Sequence, residues 1–256
     1  MDPGFRSPLV DFFRRGEVAR DVRLVAAQGA LAPRAHEQLA ILIILSDDPE
    51  PVIAAGAKNT LDSLPIESLR AFLARPDVPA EMRAFFAARG VEIGEVAAAA
   101  SAGPLGEPAD LGPEGEPDED DKVEAVVLSS LPIVERMKLA MKGTRAQRAQ
   151  LVRDSNKLVA AAVLSSPKLT GAEVEAFAKM ANVSEDVLRI IGTNRGWMKS
   201  YGVVWGLARN PKTPPAISMH LLSRVSERDL KMLILDRNVP EPVRLAARRF
   251  VLKGAR

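Results

Sequence analysis

The side chains best suited to chemistry lie in the last quarter of the sequence, where aromatic and basic residues are interleaved. Both tryptophans and the single tyrosine fall within residues 197–205. Aromatic rings among basic side chains can stack on nucleic-acid bases or anchor a protein interface. Helical spacing predicts a stripe on one helix formed by Trp197, Tyr201, Val204, Trp205 and Ala208. We predict that Trp205 belongs to the core, and that Trp197 and Tyr201 are the candidates for contact with a partner.

The net charge of +2 conceals an uneven distribution. Residues 1–93 carry −2, residues 94–121 carry −9 and residues 122–256 carry +13. A basic region of this size attracts nucleic acid, an anionic membrane surface or an acidic protein face, although arginines also commonly do no more than solvate helices. The cations predicted to bind an anion are Arg195, Lys199, Arg209, Lys212, Arg244, Arg248, Arg249 and Lys253.

Few residues are left for catalysis or for a metal. The chain has no cysteine, which excludes disulfides, thiolate nucleophiles and thiolate zinc sites. His36 is interpreted as a surface or cap residue, and His220 as a residue on a helix flank. Four glycines spread along helical sequence favour close helix packing over a phosphate-binding loop; they are Gly192, Gly196, Gly202 and Gly206. We therefore predict no catalytic residue, no metal and no cofactor.

The elements that must position these residues are helices. Valine and isoleucine recur at helical spacing rather than alternating, so no strand is predicted. Thr144 with Gln147 and Thr170 with Glu173 fit the capping box that opens a helix. Three serines are predicted as further N-caps: Ser130, Ser184 and Ser226.

In the first part of the chain, the aliphatic run from Leu39 to Leu45 predicts a buried helix. Seven residues cannot span a bilayer, which needs about 20. The next helix is predicted to follow an Asp48 cap and to turn Val52, Ile53 and Ala57 inward.

Residues 94–121 break the helical pattern. They are rich in alanine, glycine, proline and acids, with no aromatic residue and no lysine or arginine. Such a composition cannot offset its ordering entropy by burial, so we predict a disordered acidic linker. The linker divides an N-terminal helical repeat domain, residues 1–93, from a basic C-terminal one, residues 122–256. A further hypothesis is that the acids at 118–121 fold back and screen the basic domain.

Short similarities recur along the chain. Val163–Thr170 aligns with Leu207–Pro214, forty-four residues later, and Val183–Arg189 aligns with Val225–Lys231, forty-two residues later. Repeats of about 40–47 residues built from helix pairs are typical of HEAT and armadillo solenoids.

Three segments carry a resemblance to such solenoids. Asp236–Arg248, with an aspartate before the helix and a Val-Arg-x-Ala-Ala core, resembles the second-helix consensus of HEAT-like repeats. Arg209–Pro214 is similar to the Asn-Pro-x-Thr-Pro turn of leucine-rich-repeat-variant proteins, and Asp47–Ala55 fits the HEAT scheme without its arginine. The resemblance implies an all-α fold of HEAT-like, ARM-type helical hairpins in both domains, and a habit of binding proteins or nucleic acid. It does not identify a reaction.

Three functional hypotheses follow. The first is a non-catalytic module or scaffold that binds another protein. The second is binding of nucleic acid, or another polyanion, by the basic C-terminal domain through phosphate contacts. The third comes from the resemblance to alkylpurine DNA glycosylases, also HEAT-like solenoids, and would use Asp236, Trp197 and Trp205, although Asp236 also suits a turn or cap. With no secretory signal and no membrane span in the sequence, a cytoplasmic location is expected.

Overall fold

The structure is a computed structural model that describes residues 2–31, 34–92 and 128–254. Within these ranges the chain forms fifteen α-helices and no β-strand, which confirms the all-α prediction. The predicted linker, residues 94–121, lies outside the described residues. The described chain divides into two compact units: residues 2–31, 34–92, 128–143 and 161–168 form unit 1, and residues 144–160 and 169–254 form unit 2.

Unit 1 is built around one helix that is buried on nearly all sides. Its helices are α1 (Pro8–Arg15), α2 (Arg20–Ala27), α3 (Ala35–Leu45), α4 (Pro51–Asp62), α5 (Ile66–Leu73), α6 (Ala80–Ala87) and α7 (Ile133–Lys142). Helix α3 packs against α1, α2 and α4, and α7 packs on α2. The predicted aliphatic run supplies the centre of α3, where Ile41, Leu42 and Ile43 are almost completely buried. Burying this apolar surface is the main driving force for assembling the unit.

Two predictions around α3 are wrong. His36 is buried rather than exposed, because its ring stacks on Phe5 and meets Phe72 edge-on. Asp48 does not cap α4: its Oδ1 accepts from the Glu50 amide before that helix begins, and its carboxylate pairs with Arg23 at 2.6 Å.

The inward face of α4 is predicted in part. Ile53 and Ala57 are buried in unit 1, as expected. Val52 is 65% exposed, because it is one helical position away from the face that packs on α2 and α3.

Unit 2 is a succession of short helices. They are α8 (Arg145–Leu151), α10 (Gly171–Lys179), α11 (Glu185–Thr193), α12 (Tyr201–Arg209), α13 (Pro215–Leu221), α14 (Glu227–Leu235) and α15 (Glu241–Gly254); α9 (Lys157–Leu164) contributes residues to both units. Short 3₁₀ turns at Trp197–Lys199 and Leu222–Arg224 precede α12 and α14.

Helices α10, α12 and α14 form a parallel row. Gly202 at the start of α12 lies against Glu175, and Gly206 one turn later lies against Ala178 at 3.1 Å, measured from the position a Cβ would take. At the next interface, Tyr201 and Arg209 at the two ends of α12 bond residues at the two ends of α14. Helix α11 lies against α10 and α12, α13 packs on α12, and α13 also packs on α15.

Three of the four glycines singled out by the sequence permit this packing. A Cβ at Gly192 would lie 2.9 Å from Ile217 of α13, and Gly202 and Gly206 admit α10. The prediction of close helix packing is therefore confirmed at Gly192, Gly202 and Gly206.

Most of the predicted helix starts are confirmed. Both capping boxes form, with the Thr144 hydroxyl accepting from Gln147 and the Thr170 hydroxyl accepting from Glu173. Ser184 and Ser226 cap α11 and α14. The prediction for Ser130 is wrong, because Pro132 occupies the N-cap position of α7 and Ser130 ends the preceding 3₁₀ turn.

The helix starts in unit 2 are not evenly spaced. The row helices begin at Gly171, Tyr201 and Glu227, at intervals of 30 and 26 residues. The forty-two-residue match joins the start of α11 to the start of α14, which is a row helix. The HEAT-like repeat type stays a prediction. The division at residues 94–121 stays a prediction, and the packing of α7 on α2 brings residues from beyond that segment into unit 1.

Candidate partner-binding groove

A groove of about 300 Å³ opens between α12 and α14 in unit 2. It is lined by Trp205, Arg209, Met232, Leu235 and Asp236. Arg209 follows Trp205 by four positions, and Leu235 and Asp236 follow Met232 by three and four positions, so each set lies on one helical face.

A hydrogen-bonded cluster joins α12 to α14 about one turn before the residues that line the groove. The Tyr201 hydroxyl donates to Asp229 and accepts from the Ser226 amide at 3.1 Å, and the Ser226 hydroxyl donates to the same carboxylate at 2.8 Å. These hydrogen bonds hold the pKa of Asp229 below its ordinary value, and the bond from Tyr201 is the main cause. The cluster ties the first turn of α12 to the first turn of α14.

The far end of the groove is closed by an ion pair. Arg209 Nε lies 2.6 Å from Asp236 Oδ2, and Asp236 Oδ1 also accepts from the Asn238 amide at 3.0 Å. The Arg209 guanidinium is the main cause of the lowered pKa of Asp236. Asp236 thus has the structural turn role that the sequence suggests for it.

Asn210 locks the row from the other side of α12. Its side chain is almost fully buried, and Nδ2 donates to the carbonyls of Ala178 and Met180, each at 2.9 Å. Its Oδ1 accepts from the Lys212 amide at 3.0 Å. One side chain therefore satisfies the last carbonyls of α10 and the turn after α12, where helix ends otherwise leave unpaired groups.

The rim of the groove is apolar and open to solvent. Leu235 is 80% exposed, Met232 49% and Tyr201 46%, so large side chains face water around the half-buried Trp205. Contiguous exposed apolar surface of this kind marks interaction sites.

The aromatic stripe is divided between two elements. Trp197 lies in the 3₁₀ turn before α12 and is half-buried, whereas Tyr201 opens the helix and is the most exposed of the three rings. Val204 and Ala208 are buried, as expected. The prediction that Trp205 is a core residue is wrong, because the ring is only partly covered and lines the groove.

The predicted anion-binding cations fall into separate places. Arg195 and Lys199 are exposed in the connection before α12, and Lys212 is exposed in the turn after it, at the opposite edge of the row. Arg209 is paired with Asp236. On α15, Arg248 and Arg249 are exposed and Arg244 is half-buried; the side chain of Lys253 lies outside the described part of the structure.

Two further cations belong with Arg195 and Lys199. Arg224 is exposed and donates to the Met198 carbonyl at 2.5 Å, and Arg228 is exposed near enough to Asp229 to act on its charge. We call these four residues the cationic edge; none of them has an ion pair among the described residues. Sequence spacing does not reveal this grouping, because 33 positions separate the first member from the last and only the parallel row brings them together.

The described residues hold no group of three or more histidine, aspartate or glutamate side chains placed to bind a metal ion. In the same ranges, no helix combines the length and apolar character needed to cross a bilayer.

No protein-family model, curated protein sequence or solved structure matches this chain.

Proposed function

We propose that the protein is a non-catalytic α-helical repeat module that binds a segment of another protein in the groove between α12 and α14. The observation that carries the proposal is Leu235, 80% exposed at the rim of a groove lined by Trp205 and Met232. An exposed leucine side chain is unfavourable in water. Covering it with an apolar side chain of a partner would stabilise the complex.

The proposal includes the HEAT-like repeat type. Helices stacked side by side in a row are the kind of packing on which α-solenoids depend, and such repeats bind proteins along extended surfaces. The similarity of Asp236–Arg248 and Arg209–Pro214 to solenoid repeats supports it from the sequence side. A cytoplasmic location stays a prediction from the sequence.

The contacts of Asp236 argue against base-excision chemistry. A catalytic carboxylate must reach its substrate, but both oxygens of Asp236 are engaged within the fold, by Arg209 and by the Asn238 amide. The non-catalytic proposal is preferred for this reason.

The test is a selection of displayed random peptides on the full-length protein, followed by measurement of the affinity of each selected peptide for Leu235→Ser. Selected peptides should bind this variant roughly 10- to 100-fold more weakly than the unchanged protein, as expected when one leucine is removed from an apolar interface. Val52→Ser, which removes a 65% exposed apolar side chain from unit 1, should leave binding unchanged. If every selected peptide binds the Leu235→Ser variant as well as the unchanged protein, the groove is not the binding site.

A second candidate function is polyanion binding, favoured by the charge balance of unit 2. Six acidic side chains of this unit form ion pairs: Glu173, Glu175, Glu185, Asp186, Glu227 and Asp236. Exposed cations without an ion pair in the described residues remain in excess, among them the cationic edge, Arg248 and Arg249. Helix α15 packs on α14 and on the Leu222–Arg224 turn, which contains Arg224 of the cationic edge.

Salt dependence tests this candidate. If the cationic edge contacts phosphates, the logarithm of the affinity for duplex DNA should fall linearly with the logarithm of the salt concentration, by about 0.9 per neutralised phosphate. Changing Lys199 and Arg228 to alanine should lower that slope by about 0.9 for each phosphate that is no longer neutralised, whereas changing the exposed Lys58 of unit 1 should not. Absence of binding at about 50 mM salt would exclude the candidate.

A further inference from the structure

We infer that the groove selects a short amphipathic segment of a partner protein, with large apolar side chains along one face and acidic residues at one end. This inference rests on the proposed function and gives the chemistry of its partner. The size of the groove, its fixed width and the charges at its two ends support it.

The size of the groove favours apolar anchors of a protein over a small molecule. At about 300 Å³ it lies at the lower limit of ligand pockets, which commonly enclose about 300–1,000 Å³. Its exposed rim, Leu235 and Met232, is on the outside of the helices, where a segment lying across the groove would cover it. One or two large side chains would fill the space while the rest of the segment covers the rim.

The groove is preformed. The Tyr201–Asp229 bond at one end and the Arg209–Asp236 pair at the other fix α12 against α14, and Asn210 fixes α12 against α10. A partner therefore binds without reorganising these helices, which removes one of the main costs of association.

The length of the groove sets the spacing of the anchors. On α12 the lining residues Trp205 and Arg209 are four positions apart, which corresponds to about 6 Å along a helix. A partner helix covers that distance in about one turn, so two anchors would fall at positions i and i+4, as in helix-in-groove recognition.

The charges at the two ends are unequal. The cationic edge lies at the Tyr201 end, where Lys199 and Arg228 are exposed and unpaired among the described residues, and the N-termini of α12 and α14 add partial positive charge there. At the other end the Arg209 charge is neutralised by Asp236, and the helix C-termini contribute partial negative charge. The acids at the Tyr201 end are Asp229, which accepts from Tyr201 and Ser226, and Glu227, which pairs with Lys231. The cations outnumber them, so an acidic flank on the segment is attracted to this end.

The experiment uses the full-length chain with Trp197→Phe, which leaves Trp205 in the groove as the single tryptophan. Three designed peptides of about 16 residues, long enough to form a helix on binding, share one scaffold. The first has leucines at i and i+4 and glutamates at one end, the second has lysines in place of the glutamates, and the third has serines in place of the leucines. Trp205 fluorescence reports occupation of the groove.

The first peptide should change the Trp205 fluorescence with the highest affinity. The serine peptide should bind roughly 10- to 100-fold more weakly, and the lysine peptide about fivefold more weakly at low salt, with a smaller difference at high salt. Lys199→Glu with Arg228→Glu should remove the preference for glutamate over lysine, while Lys58→Glu in unit 1 should preserve it.

Two results would overturn the inference. If binding requires the leucines but is equal for the glutamate and lysine peptides, the proposed function stands and an acidic end on the partner segment is excluded. Glutamate-dependent binding that is unchanged in Leu235→Ser and equally strong for the serine peptide would remove the groove as the site and favour the polyanion candidate. Circular dichroism of each variant confirms that the helices are retained.

Discussion

At the scale of single residues, unit 2 depends on a few side chains that serve two helices at once. Asn210 satisfies carbonyls of α10 and an amide of its own turn, and Asp236 joins α14 to α12. Glu37 in unit 1 is a contrast: its carboxyl group is almost fully buried on α3, and neither oxygen accepts a hydrogen bond among the described residues. Asn210 and Asp236 therefore fix the helices beside the groove, whereas the buried Glu37 carboxyl destabilises unit 1.

Changing Asn210 to alanine should destabilise the protein by about 1–3 kcal/mol, because the carbonyls of Ala178 and Met180 lose their buried donor. Urea denaturation measures the change. Asn182→Ala, at an exposed position with no bond of this kind, should stay within about 0.5 kcal/mol of the unchanged protein. Equal effects of the two substitutions would mean that Asn210 does not hold α12 to α10.

Changing Glu37 to glutamine should increase stability at neutral pH. Burial raises the pKa of Glu37 above its ordinary value of 4.5, an effect that Ser7, Arg34 and Ser165 oppose. The carboxyl is therefore best tolerated in the folded state below pH 4.5, and stability is lost as the pH rises toward the folded-state pKa.

The measurement for Glu37 is the free energy of unfolding as a function of pH. Glutamine cannot ionise, so the free energy of unfolding of the variant should lack this part of the decline with pH. The variant should be more stable than the unchanged protein by the largest margin at the upper end of the pH range. Glu67→Gln, on the surface of α5, is the control and should not alter the profile. A Glu37→Gln profile parallel to that of the unchanged protein would show that the carboxyl does not titrate as its burial requires.

At the scale of the elements, the row of α10, α12 and α14 depends on small residues where helices approach closely. A Cβ at Gly206 would lie 3.1 Å from the Ala178 Cβ and 3.4 Å from its backbone carbon, neither of which can move without shifting α10. Gly56 on α4 is different, because a Cβ there would lie 3.6 Å from Ala27, an ordinary contact. The two glycines are both helical, so they form a matched pair.

Gly56→Ala should stabilise the protein by about 0.5–1 kcal/mol, since alanine is the better helix former. Gly206→Ala should lack that gain and destabilise by about 1–3 kcal/mol through overpacking. Thermal unfolding of both variants tests the comparison. Stabilisation of similar size by both would mean that α10 and α12 approach each other less closely than 3.1 Å at Gly206 implies.

At the scale of the whole molecule, the dominant feature is the separation of charge along the chain. The nine acids of residues 94–121 offset most of the +13 carried by residues 122–256. Within unit 2, ion pairs engage most of the acidic side chains, so its excess positive charge is left on the surface. Exposed charges of one sign act over about a Debye length, about 10 Å at 0.1 M salt.

Replacing all nine acids of residues 94–121 by their amides should raise the affinity for duplex DNA several-fold at about 50 mM salt, and much less at about 200 mM. Fluorescence anisotropy measures it. A variant with the same 28 residues in shuffled order keeps the charge and should bind like the unchanged protein. Unaltered affinity after neutralisation would exclude the screening hypothesis.

The sequence by itself determined the features of this protein that depend on neighbouring residues. The capping boxes of Thr144 and Thr170, the buried run in α3 and the charge of each region follow from short-range spacing and composition, and the structure agrees for the residues it describes. Capping bonds span three residues, so no distant contact is needed to predict them.

Only the tertiary structure decided which distant residues meet. His36 is buried because Phe5 and Phe72 approach it from far along the chain, and Trp205 is partly exposed because α14 leaves a groove beside it. Arg209 and Asp236, 27 residues apart, form an ion pair, while Lys199 and Arg228 are left unpaired in the described structure. Local spacing cannot predict these outcomes, because the side-chain bonds between α12 and α14 decide which charges are neutralised and which apolar side chains face water.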